Sequence, residues 1–381
     1  MMRVVLRHAS PGEAHHQAAM LLGSAWGCEV CFGDESSACD WPDSGWLDSP
    51  GVREPKTSDV PAWTVWRTFY WASTLPEDEH GRPTGSKADR KLDVPEAELR
   101  ALDFGKELGL NLDRSARPAP VLVVDIDHLF AYRGRGATSY WGGLLRDFFR
   151  GDFQGVTERM WGPDPFYSLP FWSEFAQRHP QVSLQFFALL AAKKGPYDRG
   201  VRWSSPQTAE ALRRLMLRFD LGLHLSYGSH DRPGGYRDEV KNLESISGRH
   251  VVRQRSHFLR KASTPALVHA LCDLGISEDW SDEFADASGF RSGWASAYSV
   301  RSGFVQVPVA IMDQNVLGEG PRAIADRLHA LQAAAWSVGA PLRIGTHWRI
   351  FGPRPDAERN APDFAAWRAG LALWLSEGDW K

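Results

Sequence analysis

The stretch Val121–His128, VLVVDIDH, decides how the rest of the chain is read. Four apolar residues run into two carboxylates spaced i, i+2. Side chains alternate faces along a strand, so Asp125 and Asp127 point the same way, about 7 Å apart. An apolar strand that ends in two same-side acids is costly to bury unless a metal, an arginine or a substrate meets the charge. Taken alone, the pair also fits a strand entering a turn whose acids cap the next helix. The residues that follow favour the first reading.

Downstream of this stretch, short apolar strands alternate with amphipathic helices. Strands are expected at Val121–Asp127, Val182–Leu190, Leu221–Ser226, His250–Phe258, Phe304–Met312 and Leu342–His347, with a weaker one near Ile276–Trp280. Gln207–Phe219, Tyr236–Ser245, Thr264–Leu274 and Pro321–Val338 read as helices, the first started by Ser205 or Pro206 and the third capped by Ser263. Such alternation means parallel strands joined by crossovers, and about seven units suggest a closed or nearly closed barrel.

Upstream, residues 1–115 read differently. Helical patterning at Glu13–Leu22 and Ala62–Tyr70 is broken by Asp/Ser/Gly/Pro-rich stretches at 33–61 and 75–95, and Glu77–Asp89 has the composition of a loop. Ala116–Pro120, ARPAP, is the expected junction. The chain therefore divides into a smaller mixed α/β module at 1–115 and an α/β barrel at 116–381.

The whole-chain quantities set bounds. At 381 residues the chain is too long for one ordinary core. A net charge of −3 argues against a general nucleic-acid binder. No apolar run approaches the roughly 20 residues that span a bilayer, and no secretory signal is apparent at the N-terminus, so the expected compartment is the cytoplasm. Cys28, Cys31 and Cys39 form C-x2-C-x7-C, with Cys272 apart. His15 or His16 would have to complete a zinc set there, and free thiols in a reducing compartment are the simpler reading.

In parallel barrels functional groups gather at the C-terminal ends of the strands. Those ends carry Asp125 and Asp127; His224 and Ser226; Arg253, Arg255 and His257; Asp279, Asp282 and Arg291; Asp313; and His347. Each has an ordinary structural reading by itself. Together, polar and ionisable residues at nearly every strand end are not what a purely structural barrel needs. A divalent metal held by Asp127 and His224, with a position open to water, would make a hydrolytic site.

These residues also carry a resemblance. VDIDH at 124–128, YRGRGATSYWGGLLRD at 132–147, GLHLSY at 222–227, RQRSHFLR at 253–260, GISEDW at 275–280, GFRSGW at 289–294, VPVAIMD at 307–313 and His347 resemble, in order and spacing, the NodB-homology polysaccharide deacetylases, carbohydrate esterase family 4. FYWASTLPEDEHGRPTG at 69–85 resembles the module preceding the barrel in a bacterial subgroup of uncertain substrate. The resemblance implies a distorted (β/α)7-type barrel that removes acetyl groups from a glycan or sugar-containing substrate with a divalent metal, usually zinc. It implies Asp125 as the base that activates water, Asp127 and His224 as metal ligands, Arg253 or Arg255 as the group orienting the base, with Arg291 as a second candidate, and His347 as the general acid.

One departure stands out. The family's usual second histidine, four residues after the first, is replaced here by Gly228. His257 on the next strand, or His230, has to supply the third ligand, and strand ends favour His257. A barrel that has lost its third ligand would instead be a carbohydrate-binding or pathway scaffold protein, the alternative to a deacetylase. A hydrolase of other C–N bonds is a more distant reading.

Overall fold

The computed structural model describes residues 3–7, 11–32, 39–40, 50, 53–134, 137–232, 234–260, 264–353 and 361–378. The N-terminal part contributes a small parallel sheet of β1 (Arg3–Arg7), β2 (Glu29–Phe32) and β3 (Cys39–Asp40), with β1 central. α1 (Glu13–Trp26) packs on β2, and α2 (Val60–Val65) and α3 (Glu96–Glu107) pack on α1 and on each other. The helix expected at Ala62–Tyr70 starts as α2 and widens into a π-helical stretch at Trp66–Tyr70.

The second part is built on β4 (Val121–Ile126), followed by α4 (Ala137–Phe149), α5 (Phe153–Trp161) and α6 (Leu169–Arg178). β5 (Ser183–Leu189), α7 (Pro206–Met216), β6 (Asp220–Leu225), α8 (Gly235–Ser247), β7 (Arg253–Ser256), α9 (Pro265–Cys272) and β8 (Glu278–Asp282) continue the alternation. β9 (Tyr298–Arg301) and β10 (Phe304–Pro308) form an antiparallel pair, then come β11 (Ile311–Met312), α10 (Pro321–Ser337), β12 (Arg343–His347) and α11 (Ala361–Glu377). The curled nine-stranded sheet has the order β11-β12-β4-β5-β6-β7-β8-β10-β9.

How the sheet curls follows from one segment. The single strand expected at Phe304–Met312 is bent: its first half pairs with β8 and its second half with β12, all parallel. At the bend Val309 N donates to Asp282 O (3.0 Å) and Ala310 N to Arg343 O (3.0 Å). One segment thus touches both ends of the run β12-β4-β5-β6-β7-β8 and brings it round into a distorted barrel of seven positions, with β9 as an added edge. The strand expected at Ile276–Trp280 lies two residues later, and β9, α3, α4, α5, α6 and α11 were not expected. Ser263 lies outside the described residues, and the side chain of Thr264 caps α9 by accepting from Leu267 N.

Both faces of β4 are buried, as a parallel strand requires. Leu122, Val124 and Ile126 lie under the surrounding helices, each contributing about 1.5–3 kcal/mol by burial. Val123, Phe187, Trp280, Val307 and Val309 fill the barrel from within. Gly222 of β6 faces that filling, because a Cβ there would stand 2.5 Å from the Phe187 ring. The acids and histidines therefore sit on top of an apolar plug.

The segments either side of 116–120 share one continuous core. Buried Glu98 of α3 accepts from Ala295 N and Ser296 N (3.0 Å each), and Arg67 Nη1 donates to Arg291 O (2.7 Å). Cys28, Cys31 and Cys272 are free thiols, and the side chain of Cys39 lies outside the described residues. Among the described residues no helix is long and apolar enough to cross a membrane.

Candidate metal centre

Val121, Val123 and Asp125 share the inward face of β4, so Asp125 tops the apolar plug. Arg255, on the inward face of β7, meets it: Nε donates to Oδ1 (3.1 Å) and Oδ2 (2.9 Å). The same guanidinium donates through Nη1 to Trp280 O (2.6 Å) and through Nη2 to Glu283. All of these groups are buried, and a buried ion pair persists only when its remaining donors are satisfied in this way. Burial works against the Arg255 charge, but Asp125 and Glu283 outweigh it and raise its pKa. Burial pushes the Glu283 carboxyl up to about 7, against the opposing pull of Arg255.

Asp127 follows β4 and stands among three imidazoles. His224 Nε2 is 3.3 Å and His257 Nε2 3.6 Å from Asp127 Oδ1, and His347 Nε2 is 3.4 Å from Oδ2. Arg349 Nη1 also donates to Oδ2 (3.2 Å). Burial pushes the Asp127 carboxyl up, but the positive charges available at His257 and His347, with His224, hold it well below the ordinary carboxylate range.

The outer ring nitrogens fix which face each imidazole presents. His224 Nδ1 lies 2.9 Å from Arg255 O. A carbonyl only accepts, so Nδ1 carries the proton and neutral His224 turns the lone pair of Nε2 toward Asp127. His257 Nδ1 lies 3.0 Å from Asp198 Oδ1, with the same effect. Asp198 is kept ionised: burial pushes its carboxyl up, but the bond from His257 and the amides of Gly228 and Tyr227 (2.8 Å each) bring it below its usual value.

Two lone pairs and a carboxylate oxygen face one another, and Asp127 Oδ1 is buried without a hydrogen bond. Either protons on the imidazoles or a cation can meet the Asp127 charge: burial pushes the His224 pKa down, but Asp125 and Asp127 raise it overall. Among the described residues, Asp127, His224 and His257 form a buried group whose ligand atoms all lie within 4.8 Å of one another. Ligands on a zinc tetrahedron, bound at about 2.0–2.1 Å, stand roughly 3.3 Å apart, which is how the two histidines flank Asp127 Oδ1. The donor set fits a divalent metal.

His347 is oriented by Asp313, whose Oδ1 lies 2.8 Å from Nδ1 and whose Oδ2 accepts from His347 N (2.7 Å). Burial pushes the His347 imidazolium down, but Asp313, opposed by Arg349 and aided by Asp127, raises its pKa overall. These groups open into a cavity of about 330 Å³. Its rim carries the rings of Tyr197 and Phe258, against which His80 and Tyr227 pack. His80 and Arg82 come from the polar segment expected to be a loop, which turns back through a bridge between Glu77 and Pro83. Arg82 Nη1 donates to Phe258 O (2.9 Å). Phe258 and Leu259, directly after His257, hold positive φ of 60° and 53°, which costs a non-glycine residue roughly 1–3 kcal/mol.

Not every residue singled out by sequence reaches this place. Arg253 shares the inward face of β7 with Arg255 but sits at the opposite end of the barrel, held by Glu278 (2.8 Å) and Asp220 (3.1 Å), so it does not touch Asp125. Strand alternation assigns the face, whereas depth depends on where the strand begins. Arg291 lies 3.9 Å from Asp282, outside the central cavity. His230 Nδ1 bonds to Tyr236 OH (2.9 Å) and stands outside the metal group. Asp198, Glu283, Arg349 and Arg82 were not singled out for the site. Asp198 comes from a loop without a motif, whereas Arg82 lies in the FYWASTLPEDEHGRPTG stretch, to which no site role was given. The Gly228 amide supports Asp198, and a Cβ at Gly228 would stand 3.2 Å from Asp198 Oδ2.

The chain is similar in structure to two solved proteins described as putative polysaccharide deacetylases. One, from Mycobacterium smegmatis, is 15% identical, with a TM-score of 0.40 over 67% of this chain and 85% of its own. The other, from Bordetella bronchiseptica and described as involved in O-antigen biosynthesis, is 13% identical, with a TM-score of 0.36 over 68% of this chain and 91% of its own. Likeness at this level says nothing of substrate or activity. No protein-family model and no curated protein matches the chain.

Proposed function

We propose that the chain is a metal-dependent hydrolase that removes acetyl groups from a glycan or sugar-containing substrate, with zinc as the metal. One observation carries this reading: Asp127, His224 and His257 present a carboxylate oxygen and two oriented lone pairs to one point, beside a carboxylate clamped by a buried arginine. Asp127, His224 and His257 would hold the metal. When bound, a divalent cation lowers the pKa of water and polarises an acetyl carbonyl.

The chain's own groups supply the remainder. Asp125, kept in place by Arg255, takes the proton from the attacking water as its oxygen bonds to the acetyl carbon. His347, held by Asp313 with its pKa raised, gives a proton to the amine nitrogen as the C–N bond breaks. The products are acetate and a free amine. Asp198 and the Arg255 carbonyl keep the two ligand imidazoles in the required tautomer. The aromatic rim offers faces suited to sugar rings.

The test is zinc content of the purified protein, measured with acetate release from a panel of N-acetylated sugars and oligosaccharides. Zinc at one equivalent with acetate release that chelation abolishes supports the reading. Acetate release that persists after complete metal removal overturns the metal chemistry, and glycan binding without acetate release overturns catalysis.

A further inference from the structure

The helical hairpin α4–α5, inserted between β4 and β5, is built inside out. On α4, Trp141, Leu145, Phe148 and Phe149 fall at i, i+4, i+7 and i+8, the spacing of one helix face, and all are exposed. On α5, Phe153, Met160 and Trp161 repeat the pattern at i, i+7 and i+8, and no residue of α5 is buried. Phe149 is 79% and Trp161 74% exposed. The two helices are joined by an edge contact between the Phe148 and Phe153 rings (centroids 5.9 Å apart) and, on the other side, by polar contacts. Arg159 of α5 donates to Asp147 of α4 (2.6 Å), its guanidinium lies 4.0 Å from the Tyr132 ring centroid, and Tyr140 OH donates to Arg159 O (3.1 Å). An amphipathic hairpin covering its own barrel would do the reverse.

The size of this face identifies what it fits. Five aromatic side chains, each more than half exposed, present on the order of 600 Å², since each such side chain carries roughly 150–250 Å². Leu145 and Met160 bring the patch near the roughly 800 Å² per partner of a stable interface, above the largest patch of a typical monomer. Its charge argues against a lipid surface. Arg146, Arg150 and Arg159 are balanced by Asp147, Asp152 and Glu158, and the hairpin has no lysine, whereas membrane-surface helices carry an excess of basic residues. Two antiparallel helices with one broad apolar face form half of a four-helix bundle. A two-fold axis supplies the other half from the same face of a second copy. Gly142, exposed on that face, leaves room where a side chain of the opposing hairpin can sit, since nothing lies within 4 Å of a Cβ built there.

We infer that α4–α5 is a self-association surface through which two copies of the chain form a four-helix bundle. The hairpin enters the chain between β4 and β5, starting nine residues after His128.

Sedimentation of the full chain at micromolar concentration tests this, with Phe149→Asp and Trp161→Asp alongside. The wild type is expected to be a dimer. Each variant, keeping the wild-type thermal transition because its site is exposed in the single chain, is expected to weaken the dimer roughly a hundredfold or more, since it buries an unpaired charge. A wild type that stays monomeric overturns the inference, as does a dimer that survives both substitutions. A monomer that sediments with phosphatidylcholine–phosphatidylglycerol vesicles, and is released by either substitution, overturns it in favour of a lipid surface.

Discussion

Arg255 Nε lies 3.1 and 2.9 Å from the two oxygens of Asp125, a buried contact between residues 130 positions apart. The same guanidinium holds Glu283, so one side chain neutralises two buried acids at the floor of the site. Arg255→Met should therefore destabilise the fold by about 3–5 kcal/mol, because it leaves buried charge without a partner. Denaturant unfolding at neutral pH reads the loss. The double variant Arg255→Met/Glu283→Gln should recover part of it, and no recovery would mean that the pair does not act as a unit.

His257 and His230 were rivals for the third ligand. His257→Ala should leave the protein unable to retain zinc through dialysis, as should His224→Ala. His230→Ala should keep one equivalent, since His230 is turned to Tyr236. Metal analysis on folded variants decides the matter. Equal retention in His257→Ala and His230→Ala would remove His257 from the centre.

Asp313 is the largest influence raising the His347 pKa against burial. A general acid works only while protonated, so activity falls as pH rises through that pKa. Asp313→Asn removes the supporting charge and should move the alkaline limb of kcat to lower pH by about one unit or more. A kcat profile whose alkaline limb stays in place would show that His347 is not the proton donor.

Asp279, on the outward face of β8, is buried beside Gln254 and Ser281 (3.0 Å from Ser281 N). Burial pushes its carboxyl up from 3.8 to about 6. The folded chain then binds the proton more tightly than the unfolded one. This contribution is fully present below the unfolded pKa and is lost as pH rises through about 6. Asp279→Asn should flatten the stability profile across that window by on the order of 3 kcal/mol. Urea midpoints of both proteins at either end of the window measure it. Parallel profiles would rule out Asp279 as the source.

Much of the barrel was legible because parallel strands buried on both faces leave continuous apolar runs such as Val121–Val124. α4 and α5 were not expected although Trp141, Leu145, Phe148 and Phe149 carry a helical period, and that period, being local, does not say whether the face covers the core. The bend at Val309–Ala310 was also hidden, since its hydrogen bonds go to Asp282 and Arg343, residues remote in sequence.

The sequence by itself determined that Asp125 and Asp127 share a side at a strand end, because the two-residue period of a strand is a local property of the chain. It also placed His224, His257 and His347 at the ends of other strands. Only the tertiary structure decided which of these groups meet. The choice of His257 over His230, of Arg255 over Arg253 and Arg291, and the entry of Asp198 and Glu283 depend on how deep each strand begins and how far each loop reaches. Those are properties of strand register and packing between distant segments, and no local pattern encodes them.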